Sequence, residues 1–364
     1  MKEKVPNVKS QPRFLLTPKP LVFSTMLMLT CFILAACSKK HGVYYEQFLG
    51  FGTLIEVKIW GVDEKRGKQL VSLVADDIDV MNRMWHAWKP SSLSRVNELI
   101  AAGGKFSIGP SLIPILKEAQ KLAALSGDRF NPAIGNLIKL WGFASDDLPQ
   151  GPPPESGDIK AMLDKHPTMN DLTIDGVELS SSNPDVHLDL GAFAKGYAVD
   201  RVIEHLKDLG VKNAIVNAGG DLRAIGKHGD RAWRVGIRNP RGEGVLASVD
   251  TNADESIFTS GDYERFYEYE GQRYHHIIDP HKGYPARGVT SVTVFDTNAG
   301  RADAAATALF VAGVDQWYGV AKKMGVAGVM LVADDGTIYM TPNLKDRVYF
   351  DVNPRPTVIM SDPL

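Results

Sequence analysis

From Tyr44 to Trp60 apolar and polar residues alternate and β-branched residues are frequent, which predicts a strand. The period then lengthens. Between Asp63 and Trp85, Leu70, Val71, Val74, Ile78 and Met81 recur at steps of three and four, the spacing of one buried helix face. A second helix is predicted over Ser111–Ser126, stopped by Gly127-Asp128. Residues 144–157, with four prolines, read as a loop. A short helix over 158–166 and strands near 171–180 and 186–190 follow. Ala192–Leu209 is the next helix, stopped by Gly210, and Val211–Gly226 reads strand, Ala218-Gly219-Gly220 turn, strand. Further strands are expected near 233–238, 245–250, 255–260, 273–278 and 290–296. An Ala-rich helix over Arg301–Ala312, another over 314–323 and a hairpin over 328–341 turning at Asp334-Asp335-Gly336 complete the order. Long antiparallel meanders broken by a few helices make an α+β fold with mixed and antiparallel sheets. No solenoid-period repeat is present. One domain is expected over 47–350, with room for two lobes, between a tether at 37–46 and a C-terminal tail at 351–364.

Composition narrows the class. A hydrophobic fraction of 44% is enough for a packed core and excludes global disorder. A formal charge of −2 shows no basic excess of the kind that accompanies nucleic-acid binding. The first residues behave differently. Lys2, Lys4, Lys9, Arg13 and Lys19 precede an uncharged stretch, Leu21 to Ala36, that ends Leu34-Ala35-Ala36-Cys37. A basic region, a short apolar core and small terminal residues make a secretory signal over 1–36, and the stretch is short of the roughly 20 residues a span requires. Its ending resembles a bacterial lipobox, which implies cleavage before Cys37 and lipidation of its thiol. The mature chain would have 328 residues and a net charge of −6. With Cys31 removed and Cys37 consumed, a thiol nucleophile, a Cys-ligated zinc and an iron–sulfur cluster are excluded. The expected location is the periplasmic face of a bacterial membrane. Ser38 in place of Asp favours the outer membrane but leaves inner and outer both open.

Four stretches carry candidate chemistry. In Leu188–Tyr197 a strand delivers Asp189 and a helix begins near Ala192, offering free N–H groups to a phosphate with Lys195 in the first turn. The competing reading is an Asp-capped helix with a solvated lysine. Asn217-Ala218-Gly219-Gly220-Asp221 is a ligand-touching backbone or simply a hairpin turn. His275-His276-Ile277-Ile278-Asp279-Pro280 puts His276 and Ile278 on one strand face, where His276 is a general-base candidate or a half-exposed strand histidine. Asp303 and Thr307 stand four apart on a helix among small apolar residues, a compact oxygen pair suited to Mg²⁺ or a local helix-start arrangement. No Gly-x-Gly-x-x-Gly fingerprint or Walker A loop is present.

Taken together these stretches resemble the ApbE-type FAD:protein FMN transferases, a family of exported or lipid-anchored flavin transferases. The ordered match runs through Phe51-Gly52-Thr53, the Ser-x-x-Ser-Arg-x-Asn run ending at Asn97, Phe130-Asn131-Pro132 with Leu140–Phe143, Leu188–Asp200, Asn217–Asp221, Thr259–Tyr263, His276–Pro280 and Asp303–Thr307, spanning roughly residues 50–340. The resemblance implies an ApbE-like, T-fold-related catalytic domain. It implies Mg²⁺ held by Asp303, Thr307 and the backbone oxygen of Ala192. It also implies FAD contacts at Phe51, Trp88, Arg129, Phe130, Asn131, Asp189, Lys195 and the backbone of Ile278, and a catalytic role for His276 and Lys195. Phe51, Trp88, Asn131 and Ala192 depart from the family's commoner Met, Tyr, Asp and Gly. Asn131 loses a charge, whereas Ala192 acts through its backbone. The implied reaction moves FMN from FAD to a Ser or Thr hydroxyl of an exported or membrane redox subunit and releases AMP. Alternatives are an Mg²⁺-dependent FAD pyrophosphatase, a flavin-binding lipoprotein without chemistry and a flavin oxidoreductase.

Overall fold

The alternation from Tyr44 to Trp60 folds as a hairpin, not as one strand. β1 (Val43–Gly50) and β2 (Thr53–Trp60) pair antiparallel from Val43↔Trp60 to Gly50↔Thr53. Phe51 and Gly52 turn between them with φ of 50° and 70°. Two consecutive left-handed residues give the tight turn whose twist suits a hairpin. A phenylalanine in its first position is no sequence signal for it. The computed structural model describes residues 1–2 and 42–364. Cys37 and nearly all of the expected signal segment therefore lie outside the described residues. The expected tether ends earlier than 46, because Val43–Glu46 already belong to β1.

The helices begin where capping chemistry places them. α1 (Glu64–Met84) starts at Asp63, whose carboxylate accepts the Arg66 N–H at 2.8 Å, and it buries Leu70, Val71, Val74 and Ile78. α2 (Ser92–Ala102) opens on reciprocal bonds between Ser91 and Ser94, a helix the periodicity reading omitted. β3 (Lys105–Ser107), α3 (Leu112–Ser126), α4 (Gly135–Leu140), α5 (Ser156–Leu163), β4 (Leu172–Asp175) and β5 (Glu178–Ser181) follow. Residues 186–190 are not the strand expected there; His187 makes a single parallel bridge to Ile134. α6 (Ala194–Asp208) leads into β6 (Ala214–Ala218) and β7 (Asp221–Ile225), joined by a Gly219-Gly220 turn with φ of 70° and 106°. Next come β8 (Arg234–Arg238), β9 (Val245–Asp250), β10 (Asp254–Gly261), β11 (Phe266–Tyr269), β12 (Gln272–His275) and β13 (Val289–Asp296). The strand expected over 273–278 thus ends at His275. α7 (Ala299–Met324) kinks at Gly313, where the sequence placed a break between two helices. β14 (Gly328–Ala333), β15 (Ile338–Met340), β16 (Val348–Phe350) and β17 (Val358–Met360) end the chain.

Nine strands form one sheet in the order β1-β2-β6-β7-β10-β13-β14-β15-β17. Its registered pairs are antiparallel except β15 with β17. Both faces are covered, so alternation sorts apolar residues between two cores. Val216, Val292, Val294, Val329 and Leu331 face the helices, whereas Ile215, Phe295, Met330 and Val332 join Trp233, just before β8, and Ile237 and Val249 of the small β16-β9-β8 sheet. Residues 42–364 form one compact unit without separate lobes. Residues 351–364 are not a free tail, because β17 returns to lengthen the main sheet. Among the described residues no helix is long and apolar enough to cross a membrane.

Candidate active site

β7 follows its turn with an acid and a base on one face, Asp221 and Arg223, two residues apart. Both are buried, and both reach the neighbouring helix α6. Asp221 accepts the Lys195 ammonium at 2.5 Å and the Thr259 N–H at 2.8 Å. Arg223 bonds Asp200 at 2.7 Å. The start of α6 packs against the start of α7 through Gly196, where an added Cβ would stand 2.3 Å from the Ala299 oxygen. That closeness lets the Gly196 N–H donate to Asp303 Oδ2 at 2.8 Å. In a regular helix this N–H would bond the carbonyl of Ala192, four residues back. Its diversion leaves the Ala192 oxygen without a backbone partner among the described residues.

Asp303 and Thr307 lie one turn apart on α7, and the Thr307 hydroxyl meets Ser260 Oγ of β10 at 3.2 Å. Burial pushes the Asp303 carboxyl up to about 7; the Lys195 charge opposes this and Asp221 adds to it. Burial also opposes the charge on Lys195, but the Asp221 and Asp303 carboxylates outweigh it and hold the ammonium above its ordinary range. Two carboxylates share one ammonium, so the ionised cluster carries an uncompensated negative charge. Among the described residues no group of three or more His, Cys, Asp or Glu is placed to hold a metal. A cation here would rest on the Asp303 carboxylate, the Thr307 hydroxyl and the Ala192 carbonyl. Hard oxygens in such small number fit Mg²⁺ when phosphates complete its ligands. The residues present therefore suit the ion that the sequence implied.

His276 stands beyond the end of β12. Its Nδ1 meets the Arg265 carbonyl at 3.2 Å, which as a donor leaves Nε2 free to accept a proton. Burial, the His275 ring and the charges of Arg265 and Lys195 push the His276 pKa down to about 3, so the ring is neutral at neutral pH. Asp189 is held by the Gly191 N–H at 2.8 Å, and burial raises its pKa against the pull of His187, Arg265 and His86. The Pro-rich loop closes this side, with the Ser145 carbonyl on Arg265 at 2.6 Å and Asp146 on Lys89 at 2.6 Å.

The expected flavin contacts divide. Phe51 stacks on Trp85 at 6.1 Å, and Trp88 is 37% exposed. Phe130 is instead buried, its ring edge-on to Phe193 at 5.8 Å and its N–H donating to Ser126 Oγ at 3.1 Å. The Asn131 amide is already engaged, accepting the Ala133 N–H at 2.9 Å and donating to the Pro167 carbonyl at 3.0 Å. Beside it opens a cavity of about 200 Å³ whose lining mixes apolar side chains such as Leu137 and Met162 with polar ones such as Asp128, Lys165 and His281. Arg129 is tied to Gln316 and to the Ser126 carbonyl. The Ile278 side chain is buried, consistent with a backbone role only.

A model described as the ApbE family matches residues 51–330. The chain belongs to the ApbE family. It is 42% identical over 303 residues to an FAD:protein FMN transferase of Rhodobacter capsulatus, covering 83% of this chain and 58% of that protein. The chain thus spans little more than half the length of that relative. An FAD:protein FMN transferase of Haemophilus influenzae is 30% identical, with 87% and 94% covered. Among solved structures, the ApbE protein of Thermotoga maritima aligns with a TM-score of 0.75 at 31% identity, over 84% of this chain and 99% of that one. The flavin transferase ApbE of Vibrio cholerae aligns with a TM-score of 0.73 at 29% identity, over the same shares.

Within this ApbE fold, sequence reasoning placed Asp221 and Asp200 inside motifs without giving either a role, and it overlooked Arg223. A signal existed. Asp221 and Arg223 interrupt an otherwise apolar strand at a period of two, which marks charges that must find buried partners. The two glycines before them form the turn between β6 and β7, and the acid after it joins the cluster.

Proposed function

We propose that the chain transfers FMN from FAD to a Ser or Thr hydroxyl of an acceptor protein, with Mg²⁺, leaving a phosphoester-linked flavin and AMP. The observation that carries this reading is the meeting of Lys195, Asp221 and Asp303 where α6 and α7 begin, with Thr307 one turn further. The names of the relatives supply the reaction class.

Asp303, Thr307 and the Ala192 carbonyl would hold Mg²⁺, which when bound neutralises charge on a diphosphate. The chain's own groups do the rest. The Lys195 ammonium faces the anionic oxygens, whereas the N–H groups of Phe193, Ala194, Gly196 and Tyr197 at the start of α6 are taken by the Leu190 and Phe193 carbonyls and Asp303. The acceptor oxygen forms a bond to the phosphorus of the FMN half. The bond from that phosphorus to the bridging oxygen breaks, and its electron pair leaves with AMP. The hydroxyl proton passes to His276 Nε2, the ring nitrogen opposite the one that meets the Arg265 carbonyl. Phe51 and Trp88 offer flat apolar surface to the flavin. Residues 1–37 support attachment through a lipidated Cys37 at the periplasmic face of a bacterial membrane.

The test incubates the full mature chain with FAD, Mg²⁺ and a candidate acceptor and follows flavin fluorescence in a denaturing gel. Labelling that disappears in EDTA and in Asp303→Ala, with far-UV circular dichroism unchanged, is expected. Labelling that persists in EDTA overturns the Mg²⁺ reading. AMP release without labelled acceptor makes the chain a hydrolase.

A further inference from the structure

The helix that bears Asp303 and Thr307 is held at its first residues by a carboxylate from another helix. Asp200 Oδ1 accepts the Ala299 N–H at 2.9 Å, and Asp200 Oδ2 accepts the Gly300 N–H at 2.9 Å. α7 does not need Asp200 to begin, because its own cap Asn298 accepts the Arg301 N–H at 2.6 Å. What Asp200 adds is a tie between helices. Gly196 and Asp200 are one turn apart on α6, and Ala299 and Asp303 are one turn apart on α7. The two contacts, Gly196 to Asp303 and Asp200 to Ala299 and Gly300, are therefore successive rungs across one helix pair.

Asp200 is itself fixed from the sheet. The Arg223 guanidinium bonds it at 2.7 Å, grips Asp254 with both arms of its fork at 3.0 Å and reaches Glu204 at 3.0 Å. Arg223 shares its strand face with Asp221, so β7 holds Lys195 and the helix tie together. A buried ion pair is a poor choice if stability alone is at stake, since apolar replacements are often as stable. It does specify position. A slip of one residue would move α7 by about 1.5 Å and rotate it by about 100°, taking Asp303 off the Gly196 N–H.

We propose that Asp200, held by Arg223, is the positioning residue that sets the height of α7 against α6 and so assembles Asp303, Thr307 and the Ala192 carbonyl into one cation site. This rests on the Mg²⁺ reading above. The test measures Mn²⁺ binding to the full mature chain by electron paramagnetic resonance, beside thermal unfolding, for wild type, Asp200→Asn, Arg223→Lys and Asp303→Ala. Asp200→Asn is expected to weaken Mn²⁺ binding about tenfold, as loss of a ligand-orienting partner does, while unfolding stays cooperative. Arg223→Lys, which keeps the charge and loses the fork, is expected to weaken it in the same direction. Mn²⁺ affinity within twofold of wild type, with only a lowered unfolding midpoint, overturns the proposal and leaves Asp200 a stabilising residue. Failure of both variants to fold overturns it too, since the pair would then belong to the fold and not to the site. Undiminished Mn²⁺ binding by Asp303→Ala sinks the metal reading itself, and the positioning role with it.

Discussion

Gly196→Ala tests how closely the two helices must approach. The new Cβ would lie 2.3 Å from the Ala299 oxygen, 2.8 Å from the Ala299 carbonyl carbon and 2.7 Å from the Asp303 Cβ. Two of these are backbone atoms that cannot rotate away. Ordinary contact starts near 3.4 Å, so α6 and α7 must part by about 1 Å. Overpacking of this kind costs about 1–3 kcal/mol. The Gly196 N–H bond to the Asp303 carboxylate, 2.8 Å in the native arrangement, is stretched out of range and forfeits about 1.5–3 kcal/mol. Alanine's better helix propensity returns about 1 kcal/mol. A net loss of roughly 1.5–5 kcal/mol is expected, read from urea unfolding followed by tryptophan fluorescence. A displacement of about 1 Å at a reacting centre is worth on the order of 100-fold in rate, so kcat/KM for flavin transfer should fall by about that factor. A variant within 0.5 kcal/mol of wild type (about the spread of neutral surface changes) and transferring flavin at the native rate would refute the close-approach argument.

Asp221→Asn keeps an acceptor for the Thr259 N–H but removes the charge facing Lys195. Transfer is expected to drop at least about tenfold with the circular dichroism spectrum preserved; an unchanged rate would show that Lys195 needs no anchor. The low pKa of His276, about 3, has a sign that can be worked out. The unfolded ring takes a proton near pH 6.5 and the folded ring does not, so its contribution is present above pH 6.5 and is lost as pH falls toward 3. At pH 5 that loss is about 1–2 kcal/mol after discounting for partial exposure. The difference in urea midpoints between pH 7.5 and pH 5 should be smaller in His276→Gln than in wild type, a comparison that cancels the carboxylates; equal differences would disprove the assignment.

The sequence was informative where chemistry depends on local spacing. Asp303 and Thr307 are four apart, and any helix stacks them; Lys195 sits in the first turn of a helix whose start the pattern placed within two residues. It was silent where partners are distant. Nothing near Arg223 names Asp200, Glu204 and Asp254 as the acids around it, because three separate elements have to fold before they meet. Phe51 hid a turn, since its side chain fits a strand and only its backbone, with φ of 50°, reveals the reversal. Phe130 and Asn131 lie in a stretch the resemblance assigned to flavin, yet one fills the core and the other bonds its own loop. A motif marks where a ligand passes, not which atom of each residue meets it.

The last strand deserves a practical reading. β17, within the final fourteen residues, lies parallel to β15 along the outer margin of the nine-stranded sheet. Trimming the chain at Phe350 would bare a row of unpaired amide and carbonyl groups on β15, the kind of open border that recruits strands from other molecules. Purification handles at this end therefore belong after Leu364, and shortened versions are expected to clump before they misbehave in any assay.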